Sequence, residues 1–164
     1  MTTAPDFRHQ THHPARVTDL QRRVVDEART WLGTPWHHEG YVKGAGVDCA
    51  RLLVRVFGVV GLIPPIDPRP YPIDHMLHSG QERFLGWLQQ FAQPVSYVDP
   101  QPGDVLVYRV GRCFSHGAIV TEWPFIIHAF RDERAVVITR FDVGRLADKT
   151  YQIMRIGADK KDTP

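Results

Sequence analysis

The apolar positions change their spacing near the middle of the chain. Before Pro94 they recur at helical intervals, and beyond it they gather into short β-rich runs. Thr18, with Gln21 three positions on, forms a Thr-x-x-Gln capping box, and Val24, Val25, Ala28, Trp31 and Leu32 come after it at helical spacing up to Gly33. A second apolar helix is predicted from Cys49, with Asp48 as N-cap, Leu52, Leu53, Val56, Phe57 and Val60 as its buried stripe, and Gly61 as its end. A third is expected from Ser79, with Glu82 as capping-box partner, carrying Phe84, Leu85, Leu88 and Phe91. Residues 34–47 hold Pro35, Gly40, Gly44 and Gly46 and read as a loop pinned against the second helix, delivering Asp48 and Cys49 to a fixed place. The proline density of 63–72 marks an irregular connection.

Beyond Pro94, stretches 104–109, 116–122, 125–130, 135–141 and 151–156 are β-rich and separated by turn residues. Their short connections favour antiparallel neighbours. Helices first and strands second predict an α+β domain, with helices packed on an antiparallel sheet of about five strands. One domain is expected over 17–158, with a flexible N-terminal arm at 1–16 and a C-terminal tail at 159–164. With 164 residues and 43% of them hydrophobic, a single core can form without disulfide staples.

A formal net charge of +2 supplies no strong field for nucleic acid. No apolar run approaches the roughly 20 residues of a bilayer span. The polar stretch 1–14, with His9, His12 and His13, does not read as a secretory signal.

Candidate chemistry centres on Cys49. A cysteine attacks as the thiolate, and a helix N-terminus favours that form and can also receive a developing oxyanion. The competing reading is an ordinary buried cysteine. A nucleophile needs a base, and the base needs a third group to hold it. His116 opens one strand and His128 lies twelve positions on, within the next. In a hairpin turning near Trp123 and Pro124 the two become cross-strand neighbours or nearly so. Taken singly, His116 can be a strand-edge residue bonded to backbone and His128 a satisfied core histidine. Taken with Cys49 they form a Cys, His, His constellation. His116 then moves the thiol proton and His128 orients His116.

Metal binding competes, because Cys49, Cys113, His116 and His128 are all potential ligands and Cys113-x-x-His116 looks like half of a zinc site. The absence of a second paired motif weighs against it, and no metal or other cofactor is expected. A Cys49 to Cys113 disulfide is a further alternative. His37 and His38 read as solvated loop residues.

The segments Leu32-Gly33-Thr34-Pro35-Trp36, Gly46-Val47-Asp48-Cys49, Gln101-Pro102-Gly103-Asp104-Val105-Leu106, Ser115-His116-Gly117-Ala118-Ile119-Val120 and Ile127-His128-Ala129 together resemble the NlpC/P60 family of papain-like cysteine peptidases. The resemblance runs from about Val17 to Arg140 and includes order and spacing. It implies a papain-like α+β core and a triad of Cys49, His116 and His128. Asp48, the Cys49 N–H and Trp36 then line the substrate and oxyanion side. It also implies bacterial peptidoglycan as substrate, cut in the peptide stem. The loop Trp36-His37-His38-Glu39-Gly40, with Lys43-Gly44-Ala45-Gly46 after it, is similar to the phage-tail branch. That branch implies tail-hub or tail-tip partners and a virion-tail location, with synthesis in the host cytoplasm and action in the cell wall or periplasm.

Three positions depart from the family pattern. Trp36 stands where a tyrosine is usual, and Ala50 and Arg51 replace the Ser-Gly that often comes after Asp-Cys. These departures motivate an alternative function, a structural tail-tip component with a weak or inactive peptidase fold. A third alternative is an amidase or acyltransferase using the same triad on a small amide or lipid.

Overall fold

The computed structural model describes residues 17–67, 70–71 and 80–157. The expected N-terminal arm, the C-terminal tail and the Ser79 cap lie outside the described residues.

Helix α1 (Asp19–Arg29) opens on the expected capping box, with Gln21 N–H donating to Thr18 Oγ1 at 3.1 Å and Thr18 N–H donating to Gln21 Oε1 at 2.7 Å. It stops short of Gly33. Trp31 N–H and Leu32 N–H donate three residues back, to Ala28 O and Arg29 O, which tightens the chain into a turn. Trp31 is thereby fully buried and Leu32 is turned outward, so Leu32 does not belong to the buried stripe.

The loop expected at 34–47 contains a two-strand hairpin, β1 (Tyr41–Val42) and β2 (Gly46–Val47). Helix α2 (Cys49–Val60) comes next, and Gly61, in the left-handed region at φ 83°, closes it. Its stripe of Leu52, Leu53, Val56, Phe57 and Val60 is buried as the periodicity predicts. Helix α3 (Arg83–Leu88) is shorter than the sequence suggests, and Phe91 lies beyond it.

The chain instead enters β3 (Ala92–Pro94), a sixth strand beyond the five expected. The sheet runs β3-β8-β4-β5-β6-β7, with every pairing antiparallel, where β4 is Val105–Val110, β5 Cys113–Val120, β6 Phe125–Phe130, β7 Ala135–Arg140 and β8 Tyr151–Ile156. Pro94, which has no N–H to give a ladder, sits in the edge strand, where that loss is tolerated.

Alternation divides the core in two. On one face Val105, Val107, Ile119, Ile127 and Met154 pack against the three helices. On the other, Leu106, Tyr108, Ala118, Val120, Ile126 and Ile153 are covered by Leu146 from a 3-10 turn (Gly144–Leu146), with Trp123, Phe130 and Phe141 around them.

Candidate active site

The chain before α2 is clamped from two sides. Trp36 N–H donates to Arg134 O at 2.8 Å, just ahead of β7, while Val47 N–H donates to Pro35 O and His37 N–H to Val47 O, both at 3.0 Å. Gly40 lies so close to Gly46 that a Cβ there would come within 2.6 Å of the Gly46 carbonyl carbon. The entry to α2 is therefore fixed by packing of backbone on backbone. Asp48, 4% exposed, completes it: Oδ1 accepts the Arg51 N–H at 3.0 Å, and Oδ2 accepts the Glu39 N–H at 2.7 Å and the Tyr71 hydroxyl at 2.6 Å.

Cys49 is the first residue of α2. Its thiol donates to the Ser115 carbonyl at 3.8 Å, and the Gly117 N–H reaches the sulfur from the same strand. These backbone groups are available because β5 and β6 part company. The two pair only at Ile119↔Ile127 and Val120↔Ile126, and the Thr121 N–H bond to Phe125 O sets odd-numbered residues of β5 to aim their polar groups towards β6. Beyond Ile119 that edge lacks its strand partner, and the sulfur takes it up.

His116 shares the alternation of Ala118 and Val120, on the sheet face away from α2, and packs against Tyr108 and Phe130. By register His116 faces the position of Phe130, so His128 is its diagonal rather than its direct neighbour. The strand parting nevertheless brings the rings together, with Nε2 of His116 2.8 Å from Nδ1 of His128. His128 Nε2 lies 3.2 Å from Thr139 Oγ1 on β7. The structure thus joins the two histidines directly, while the sulfur's hydrogen bond goes to the carbonyl of the residue preceding His116.

The electrostatics reverse one expectation. A helix N-terminus lowers a thiol pKa, yet burial, and after it the Asp48 charge, pushes Cys49 up to about 12 against the backbone N–H groups of Gly117, Ala50 and Cys49 itself. Burial holds His128 down at about 4. Burial, and then His128, hold His116 well below the ordinary imidazole value. All three shifts favour the uncharged forms, a neutral thiol and two neutral imidazoles.

Other residues are also placed. The Trp36 ring is half-buried against the helical-side core, with the Arg131 guanidinium over it at 5.8 Å. Arg51 does not project as a free surface charge: it is 4% exposed, its guanidinium meeting Asp67 at 2.6 Å and lying over the Tyr41 ring at 4.5 Å. Both cysteines are free, and Cys113 is buried. Among the described residues no group of three or more His, Cys, Asp or Glu side chains is arranged to hold a metal ion.

Four neighbours of the site do not stand out in the sequence. Tyr71 and Glu39 bond to Asp48 or to each other, His38 stands 3.8 Å from Asp48 Oδ2 and edge-on to Tyr71, and Thr139 holds His128. Thr139 alone lies within a predicted strand, on its half-buried parity with Ala135 and Val137.

The structure holds a cysteine at a helix start, its sulfur against the strand that carries His116, and a second histidine bonded to His116, all in an α+β core. The fold is that of solved NlpC/P60 structures. An NlpC/P60 family protein from Bacillus cereus matches with a TM-score of 0.60 at 21% identity, over 82% of this chain and 39% of that one. The peptidoglycan hydrolase RipB from Mycobacterium tuberculosis matches at 0.56 and 20%, over 84% of this chain and 64% of that one. RipD from the same organism, described as a non-catalytic NlpC/P60 domain protein adapted to peptidoglycan binding, matches at 0.56 and 16%, over 84% of this chain and 98% of that one. The chain thus spans less than two thirds of the first two. No family model and no curated protein sequence matches it.

Proposed function

We propose that the protein is a cysteine hydrolase that cleaves amide bonds in the peptide stems of bacterial peptidoglycan. The observation that carries this reading is the bonded pair of His116 and His128, with the Ser115 carbonyl and Gly117 N–H on either side of His116 meeting the sulfur of Cys49 in the first turn of α2. A proton on His116 Nε2, donated to His128 Nδ1, leaves the His116 Nδ1 lone pair as base, and His128 then donates its Nε2–H to Thr139. Attack forms the sulfur–carbon bond as the thiol proton passes to His116, and the Cys49 N–H donates to the oxyanion. Collapse breaks the carbon–nitrogen bond while His116 returns the proton to the leaving amine. Water then cleaves the thioester by the same route. The loop from Trp36 to Gly46 supports placing the enzyme at a phage-like tail tip, with tail-hub proteins as partners and the wall or periplasm as its place of action.

The test is release of stem-peptide fragments from purified cell wall, read by mass spectrometry. Wild-type protein is expected to release them and Cys49→Ala to release none, with unchanged circular dichroism. Equal turnover by the variant would sink the mechanism, and the masses identify the bond cut.

A second reading, a structural tail component with an idle site, is favoured by the thiol's bond to the Ser115 carbonyl and by the fold shared with the non-catalytic RipD. In that case wild-type protein releases nothing, and particles carrying Cys49→Ala assemble and infect normally.

A further inference from the structure

Tyr71 reaches the nucleophile's helix from the proline-rich connection after α2. Its backbone N–H donates to Glu39 Oε1 at 2.9 Å and its hydroxyl to Asp48 Oδ2 at 2.6 Å, so one residue ties that connection to both the loop before α2 and the α2 N-cap. Asp48 is almost fully buried and adjoins Cys49, and its charge opposes a thiolate there. Its Oδ1 is occupied by the Arg51 N–H, leaving the Glu39 N–H and the Tyr71 hydroxyl to offset Oδ2. The Tyr71 hydroxyl is pushed above its usual pKa by burial, then by the charge of Asp48 and the bond to it, and so stays a proton donor throughout the working range.

We propose that Tyr71 is a positioning residue for Cys49: its hydroxyl bond to Asp48 Oδ2 fixes the first turn of α2 and moderates the Asp48 charge that the attacking sulfur meets. The inference rests on the reading of Cys49 as nucleophile. Asp48 and Tyr71 stand near the sulfur on the helix side, and the Ser115 carbonyl and Gly117 N–H of β5 meet it on the sheet side, with the His116–His128 pair on the sheet's other face. His38, Glu39 and Arg51 form the ring outside Asp48.

The experiment is the pH dependence of Cys49 alkylation by iodoacetamide in the full chain. It reads the thiol directly and does not require wall hydrolysis, so failure of this inference is distinguishable from failure of the functional reading. Tyr71→Phe is expected to move the alkylation profile to higher pH by about half a unit to one unit. Where wall cleavage is measurable, kcat should fall by roughly tenfold with KM little changed. Asp48→Asn, which keeps an N-cap oxygen, is expected to move the profile to lower pH and to erase the effect of Tyr71→Phe in the double variant. A Tyr71→Phe profile that overlays wild type, or the same shift in the Asp48→Asn background, overturns the proposal. If Tyr71→Phe does not fold, Asp48→Asn alone still decides, because an unmoved profile shows that the Asp48 charge does not reach the sulfur.

Discussion

His128 stands between two partners, 2.8 Å from His116 through Nδ1 and 3.2 Å from Thr139 through Nε2, so its ring is held at both nitrogens. This geometry gives the relay a direction. If His116 uses Nδ1 as base, its Nε2 must donate to His128 Nδ1, and His128 must then carry its own proton on Nε2, where the Thr139 oxygen accepts it. Thr139→Val keeps the side-chain shape and removes the acceptor, which frees the other tautomer of His128. The expected result is a loss of roughly tenfold in kcat with KM within about twofold, since Thr139 acts only through His128. Unchanged kcat would show that the third member of the relay is ornamental.

The same buried imidazoles make stability depend on pH. His128 sits near 4 in the folded chain against 6.5 as an ordinary imidazole, and His116 is depressed in the same direction. Between those values the unfolded chain holds protons that the folded chain refuses, so stability is full above about pH 6.5 and is lost as pH falls towards 4. For His128 alone the loss amounts to about 3 kcal/mol at its limit. Urea midpoints measured between pH 7.5 and pH 4.5 are expected to fall steadily, and to fall less in His128→Gln. A variant with the wild-type slope would contradict the assignment of the effect to this ring.

Asp104 and Arg155 bind β4's entrance to β8, with Nε–Oδ1 at 2.7 Å and a second guanidinium nitrogen on Oδ2 at 2.9 Å. Asp104 Oδ2 also accepts the Gln101 N–H at 2.7 Å. The Asp104 side chain is 1% exposed and that of Arg155 34%. The two deletions should therefore differ. Asp104→Ala leaves a guanidinium that water can reach, whereas Arg155→Ala leaves a carboxylate buried with too few donors. Arg155→Ala is expected to destabilise by about 3 kcal/mol or more, and Asp104→Ala by less. Denaturation of both variants checks the order, and the reverse order would show that Asp104 is solvated in a way its burial does not suggest.

Legibility in the sequence depends on how local each feature is. The Thr18 cap, the Asp48 cap and the stripe of α2 are legible because each depends on neighbours a few residues apart, and the five longer strands because alternation and turns are local. Cys49, His116 and His128 are legible as residue types at telling places. The length of α3 and the strand β3 are not, since Phe91 continues a helical spacing while only the edge of the sheet turns Ala92–Pro94 into a strand. Tyr71 is 23 residues from the Asp48 it binds and sits among prolines, with no periodicity to mark it. The sign of the Cys49 shift is hidden for a related reason: a helix terminus is visible in sequence, but the packing that desolvates the sulfur belongs to the tertiary structure.

Gly117 offers the most direct way to disturb the site without touching its chemistry. It comes directly after His116 on β5, its N–H reaches the Cys49 sulfur, and a Cβ built on it would stand 2.8 Å from Phe84 Cζ and 2.9 Å from Leu53 Cδ1. Leu53 belongs to α2 and Phe84 to α3, and both are buried, so neither can swing into solvent to make room. Gly117→Ala must therefore lift the helices from the strand or bend the strand itself, at a cost of about 1–3 kcal/mol. Because α2 carries Cys49, lifting it also opens the distance between the sulfur and β5, and displacements of this kind cost about a hundredfold in rate when the reacting groups are held on separate elements. The expected variant folds, unfolds at lower urea, and loses far more activity than stability. A companion Leu53→Val change, which shortens the side chain that the new methyl meets, should recover part of both. Loss of stability with full activity would mean that the strand yields and the helix does not.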